Sequence, residues 1–214
     1  MMNNGQKVWQ QLEPKLVAIL RGITPSDILP VSTVIYEAGF RAIEVPLNSP
    51  EPLASISLAR EGVPADALVG AGTVLTAAQA EAVLNTGANL IVSPNMDADV
   101  INVAVAGGAV SLPGVMTPSE SLAALGAGAS GLKMFPASVL GSDGIAAIKA
   151  VLPNDTQICA VGGVSPDDFA DYIVAGIQGF GLGSSLYRPG DTAQMVQAKA
   201  QTAIAAYKRA CERG

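Results

Sequence analysis

LVGAGTVLTAAQAEAVLNTGANLIVSP, residues 68–94, reads as a complete strand–helix–strand unit. Its first apolar run, LVGAGT (68–73), closes on small and polar residues. TAAQ (76–79) then places a threonine three positions ahead of a glutamine, a helix-start signal. The alanine-rich stretch over 76–86 stops at NTGA (85–88), where glycine accommodates the backbone that ends a helix. A second apolar run, LIVSP (90–94), follows directly. Two strands joined by a helix predict parallel neighbours, because antiparallel partners need only a tight turn between them.

The unit recurs along the chain. Candidate strands are LVAILR (16–21), RAIEVP (41–46), LVGAGT (68–73), LIVSP (90–94), AVSLPG (109–114), GLKMFP (131–136), ICAVGG (158–163) and GFGLGS (179–184). Candidate helices lie near 26–38, 51–60, 76–86, 97–106, 118–126, 142–151, 166–175 and 191–210. TPSD (24–27), TPSE (117–120) and SPDD (165–168) add further helix-start signals, and EAGF (37–40), ALGAG (124–128) and VAGI (174–177) add glycine stops. Successive strand ends are separated by 20 to 27 residues. Eight such repeats predict a (β/α)8 TIM barrel of the α/β class with short loops. The rival is a doubly wound open sheet. Near-equal repeats without a charged linker favour closure. The first 14 residues are expected to form an extra N-terminal helix over the barrel floor, with residues 15–214 as the barrel and residues 1–214 as one domain.

Composition fits that reading. Of 214 residues, 50% are apolar, 14% charged and 4% aromatic, and the mean hydropathy is +0.40. The core must therefore be aliphatic, and disorder is disfavoured. The net charge is −6 and the basic residues are scattered, which disfavours nucleic acid as a partner. An anionic substrate then needs a local site of one or two cations and backbone amides. The sequence contains no histidine, which removes His-based triads and most zinc sites. Cys159 and Cys211 have no ligand-like spacing, and Cys159 reads as a buried core thiol. No apolar run is long enough to span a bilayer and no leader pattern opens the chain, so the expectation is a cytoplasmic protein without membrane attachment.

In such a barrel, function belongs to the carboxyl ends of the strands. Arg21, Glu44, Thr73, Pro94, Lys133, Gly162, Gly163 and Ser184 all fall there. Alternation puts Gly131, Lys133 and Phe135 on one face of the sixth predicted strand, and Leu132 and Met134 on the other. The apolar pair suits the helix-facing layer, so Lys133 points inward. Desolvation there favours the free amine, which can attack a carbonyl and form a Schiff base. A lysine paired with a structural carboxylate, or one snorkelling from the mouth, remains the alternative. Glu44 approaches from the opposite wall as a proton shuttle or simply as an ion partner. AVGGVSPDD (160–168), with two glycines and the free N–H groups of the following helix start, and GLGSSLY (181–187), with a serine hydroxyl, read as a phosphate cradle from adjacent strands, centred on Gly162, Gly163, Gly183 and Ser184, or as tight turns alone. Arg21 can hold a carboxylate or pair with Glu44, and Thr73 can donate a hydrogen bond or form a wall.

The motifs AILRG (18–22), IEVPLNSP (43–50), GAGTVL (70–75), SPN (93–95), PG (113–114), LKMFPAS (132–138), AVGGV (160–164) and GLGSSLYRPG (181–190) run in one order over nearly the whole chain. In that combination the chain resembles the class I 2-keto-3-deoxy-6-phosphosugar aldolases. The resemblance implies cleavage of a phosphorylated ketoacid to pyruvate and glyceraldehyde 3-phosphate, a Schiff-base lysine at Lys133 and an acid/base at Glu44. It also implies a homotrimer that uses no metal or organic cofactor. Asn48 and Ser49 stand where the gluconate-type members carry an arginine–threonine pair, so Arg21 is the expected carboxylate ligand. ILRG with PLNSP looks like the branch acting on the 6-phosphogalactonate ketoacid. The alternatives are the gluconate ketoacid, a phosphosugar isomerase or synthase barrel working without covalent chemistry, and a non-catalytic sensor.

Overall fold

The computed structural model describes residues 2–212; residue 1 and residues 213–214, the ends of the expected domain, lie outside the described residues. The strands are β1 (Leu16–Ile19), β2 (Ala42–Pro46), β3 (Leu68–Gly72), β4 (Leu90–Val92), β5 (Val110–Leu112), β6 (Gly114–Val115), β7 (Leu132–Met134), β8 (Ile158–Val161) and β9 (Gly179–Leu182). All pairings are parallel, in the order β5-β4-β3-β2-β1-β9-β8-β7-β6. β5 and β6 are two halves of the single predicted strand AVSLPG. Pro113 has no amide to donate and splits the ladder there. The two halves face opposite neighbours, β5 bonding β4 and β6 bonding β7. Lys133 donates its amide to the Pro113 carbonyl at 3.0 Å and Phe135 donates to Val115 at 3.1 Å. One segment thus joins both edges of the sheet, and the nine short strands make the eight staves of a TIM barrel.

The helices are α1 (Asn4–Gln11), α2 (Ile28–Ala38), α3 (Pro52–Gly62), α4 (Ala77–Leu84), α5 (Ala98–Ala106), α6 (Pro118–Gly126), α7 (Ala137–Lys149), α8 (Phe169–Val174) and α9 (Ala193–Cys211). Strand alternation divides the core into two layers. Val17, Leu68, Leu90, Leu112 and Cys159 point into the barrel with Trp9 and Leu12 beneath them. Leu16, Ile43, Val69, Leu132, Met134 and Phe180 point outward into the helices. Each layer follows from period-two alternation on a sheet buried on both sides.

α1 covers the floor, as expected. Asn3 and Gln6 form a reciprocal cap, and the Asn3 and Asn4 amides donate to the carbonyls of Gly128 and Gly108, both at 2.8 Å. Trp9 is fully buried under Gly131, where a Cβ would come within 2.8 Å of the indole nitrogen.

Several boundaries differ from the sequence expectation. β1 ends at Ile19, so Arg21 sits in the following turn rather than closing the strand; Gly22, at φ 82°, turns the chain there. α7 begins at Ala137, five residues early, and is broken at Gly141 (φ 66°, ψ 169°), a backbone only glycine adopts readily. The helix expected over 166–175 is a 3-10 turn, Pro166–Asp168, followed by α8. TPSE and SPDD form capping boxes, and Thr76 accepts from the Gln79 amide. TPSD does not cap α2 through a side chain; the Asp27 carboxylate is taken by the Thr24 hydroxyl at 2.7 Å. No helix among the described residues is long and apolar enough to cross a membrane.

Candidate active site

β7 turns Lys133 inward, leaving it 6% exposed, with its Nζ 4.5 Å from the Phe135 ring centroid. β2 turns Glu44 inward from the opposite wall, 2% exposed. Space for the acid comes from β3: a Cβ at Gly72 would overlap Glu44 Oε2. Among the described residues no ion pair within 4.0 Å involves either group, and Oε2 is buried without a hydrogen-bond partner. A structural ion pair and a snorkelling lysine, both open from sequence, therefore do not describe this arrangement.

Electrostatics follows from that geometry. Burial pushes the Glu44 carboxyl up to about 7, and the charges of Lys133 and Arg21 only partly oppose it. Burial also pushes the Lys133 ammonium down; Glu44 resists this and Arg21 adds to it. Both shifts favour the uncharged forms, so the amine gives up its proton more readily than an exposed lysine, beside a carboxyl that exchanges protons near neutrality. Such a pair can attack a carbonyl and move protons on and off the resulting oxygen and nitrogen.

The pair lies at the base of a cavity of about 540 Å³ at the carboxyl ends of the strands. Arg21, Glu44, Thr73, Pro94, Lys133, Gly162, Gly163, Gly183 and Ser184 all line it, so the residues picked out in the sequence converge. Arg21 is exposed at the rim and donates from Nη1 to Asn48 Oδ1 at 2.6 Å, rather than pairing with Glu44. Thr73 holds φ 57°, a left-handed conformation that costs a β-branched residue about 1–3 kcal/mol.

Across the cavity, Gly162 and Gly163 adopt φ 93° and 73°. A Cβ at Gly163 would lie 2.5 Å from Ser138 Oγ, and one at Gly162 would lie 3.1 Å from the Phe135 ring. The helix-start amides expected beyond β8 are partly consumed, because Asp168 accepts from the Ser165 amide at 2.7 Å and from its hydroxyl at 2.8 Å. Among the described residues the amides of Gly163, Gly183 and Ser184 have no protein acceptor.

Sequence reading singled out Arg21 as the one arginine at the mouth. The structure adds Arg188, which lines the same cavity. Leu186 and Tyr187 both donate amides to the Gly183 carbonyl at 2.9 Å, and this turn folds LYRPG back over the opening. The turn-forming Pro-Gly directly after the arginine was the available signal.

Residues 10–204 match the aldolase family model described as KDPG and KHG aldolase. The chain is 56% identical over 196 residues, 92% of each chain, to the probable 2-dehydro-3-deoxy-6-phosphogalactonate aldolase of Rhizobium meliloti (strain 1021). It is 45% identical over 204 residues, 95% of this chain and 99% of the other, to the 2-dehydro-3-deoxy-6-phosphogalactonate aldolase of Escherichia coli (strain K12). A solved structure described as native KDPGal superposes with a TM-score of 0.92 at 44% identity, over 94% of this chain and 98% of that one.

Proposed function

The chain belongs to the KDPG and KHG aldolase family, and on that footing we propose that it cleaves 2-dehydro-3-deoxy-6-phosphogalactonate to pyruvate and glyceraldehyde 3-phosphate through a Schiff base on Lys133. The observation that carries this reading is the buried, unpaired Lys133 amine sharing one cavity with a Glu44 carboxyl whose pKa lies near neutrality.

Lys133 Nζ attacks C2 of the ketoacid. Glu44 protonates the carbinolamine hydroxyl, water leaves, and the iminium remains. The Glu44 carboxylate then takes the proton from the C4 hydroxyl. The C3–C4 bond breaks, its electron pair moves into the iminium, and glyceraldehyde 3-phosphate departs. The enamine is protonated at C3, and water hydrolyses the pyruvate iminium to free Lys133. A carboxyl titrating near 7 serves as acid and base in the same cycle. Arg21 and Thr73 hold the carboxylate end, with Pro94 as a wall. The Gly162, Gly163, Gly183 and Ser184 backbone, together with the Ser184 hydroxyl, holds the phosphate.

Borohydride added with pyruvate tests the covalent step: the reading requires a reduced adduct on Lys133, and Lys133→Met must neither form it nor cleave substrate. A variant that still turns over points to the isomerase or synthase alternative. Matched assays with the galactonate and gluconate ketoacids test the branch. Preference for the gluconate form would reassign the substrate and leave the chemistry. The reading places the enzyme in the cytoplasm, since a multiply charged phosphorylated acid does not diffuse through a bilayer. It also carries the homotrimer implied by the family resemblance, in keeping with the exposed apolar side chains of Leu75, Met116 and Leu122. A sedimentation mass of one 21.6 kDa chain would remove that part.

A further inference from the structure

We propose that Arg188 is the cationic ligand of the substrate's distal phosphoryl group and sets the preference for phosphorylated over unphosphorylated ketoacids. The proposal rests on the aldolase reading above and adds a side-chain cation to a cradle otherwise built from backbone amides and a hydroxyl. Arg188 lines the cavity beside Gly163, Gly183 and Ser184. Its Nε donates to the Ser184 carbonyl at 3.1 Å, which ties the guanidinium to another residue that lines the same cavity.

The carboxylate three residues further on, Asp191, is already committed. Asp191 Oδ2 accepts from the Arg188 backbone amide at 2.9 Å and from Lys199 Nζ at 2.6 Å. Among the described residues no carboxylate lies within 4.0 Å of the Arg188 side chain. Its two terminal nitrogens therefore keep their donors for a ligand. The pair matches a phosphate in fork geometry, which a serine and glycines cannot do.

The charge pattern of the cavity agrees. A chain of net charge −6 lines this cavity with two guanidinium groups, Arg21 and Arg188, while Glu44 and the Lys133 amine are both shifted towards their uncharged forms. Arg21 follows β1 and Arg188 follows β9, and with both guanidinium groups lining one cavity the site suits a molecule that carries two anionic groups. A ketoacid without phosphate loses the second partner only.

Arg188→Gln keeps the length and removes the charge; Arg188→Lys restores the charge without the fork. The first assay compares kcat/KM for 2-dehydro-3-deoxy-6-phosphogalactonate and for the same ketoacid without its phosphate. In R188Q the ratio between the two substrates falls about tenfold to a hundredfold, the equivalent of one charge-assisted bond, mainly through KM; R188K recovers part of it. The second assay uses no turnover: calorimetric titration with glycerol 3-phosphate, which binds the parent and binds R188Q at least tenfold more weakly. Equal loss for both substrates, or glycerol 3-phosphate binding alike in parent and R188Q, or no binding to the parent, overturns the assignment. If the parent fails to cleave the galactonate ketoacid, the proposed function falls, while weakened glycerol 3-phosphate binding by R188Q still supports Arg188 as the phosphate ligand.

Discussion

Glu44 is held in a state that is costly to the fold and useful to the chemistry. Its carboxyl titrates at about 7 in the folded protein against an ordinary value of 4.5. Between those values the folded chain keeps a proton that the unfolded chain releases. The stability tied to this group is therefore complete below about pH 4.5 and is lost as pH rises through 7. Glu44→Gln removes the titration. The variant should gain on the parent as pH climbs from 5 to 8, by about 1–3 kcal/mol at the upper end, in urea midpoints measured at each pH. A variant that keeps pace with the parent, or loses ground to it, as pH rises would contradict the buried, raised carboxyl. Lys133 works in the opposite sense: its lowered folded value adds stability as pH rises towards 10.5, in parent and variant alike, so the difference between the two reports Glu44. Activity should move against stability. E44Q is expected to lose about 10²- to 10⁴-fold in kcat, and the parent's kcat/KM should inflect near pH 7, an inflection missing from the variant.

β3 shows how one strand serves both the fold and the site. Its inward positions are Leu68, Gly70 and Gly72, and the two glycines are there for different reasons. A Cβ at Gly70 would overlap the Leu90 carbonyl, a backbone atom of the paired strand that cannot move without breaking the ladder. A Cβ at Gly72 would overlap only the end of the Glu44 side chain. Gly70→Ala is therefore expected to cost about 3 kcal/mol or more in denaturant unfolding. Gly72→Ala should fold with a nearly unchanged midpoint yet lose at least about a hundredfold in kcat, since a catalytic group displaced by about 1 Å costs that much. Comparable midpoints for the two variants would refute the distinction. From sequence, glycine at both positions read only as a small residue in a strand, because the neighbour each one spares belongs to another stave. The strand period, the inward lysine and the glycine stops were legible, since each is set by residues within a few positions. The break at Pro113, the early start of α7 and the return of Arg188 to the mouth were not. Each depends on what the chain meets across the barrel.

The barrel separates its work between its two ends, and this explains why the site was easier to read than the floor. At the carboxyl ends, polar residues stand out against aliphatic strands and fall at regular intervals, so Lys133, Glu44, the Gly162–Gly163 pair and Gly183 are legible in the sequence alone. At the amino ends the packing is specific but chemically plain. The expectation of a helix over the floor was met by α1, but not the means: Asn3 and Asn4 reach carbonyls more than a hundred residues away, and Lys15 Nζ binds the carbonyls of Gln10 and Leu12 and the Glu13 carboxylate. Trp9 is the plug, wholly buried against the lowest inward layer with Leu12, Val17 and Cys159. Removing it opens a void that the short surrounding strands cannot close. Trp9→Ala should cost about 3–5 kcal/mol, a large share of the roughly 5–15 kcal/mol that holds a domain together, and Trp9→Phe should cost less because it refills most of the space. Neither change reaches the mouth, which is separated from the floor by the inward side chains of β1, β4, β5 and β8. For whichever variant stays folded at the assay temperature, kcat/KM should remain within about twofold of the parent while the urea midpoint falls. A loss of kcat/KM in folded Trp9→Phe comparable to that in G72A would mean that the two ends are coupled. The barrel would then transmit floor packing to Lys133 rather than insulate it, contrary to the division of stability and chemistry that this fold ordinarily keeps.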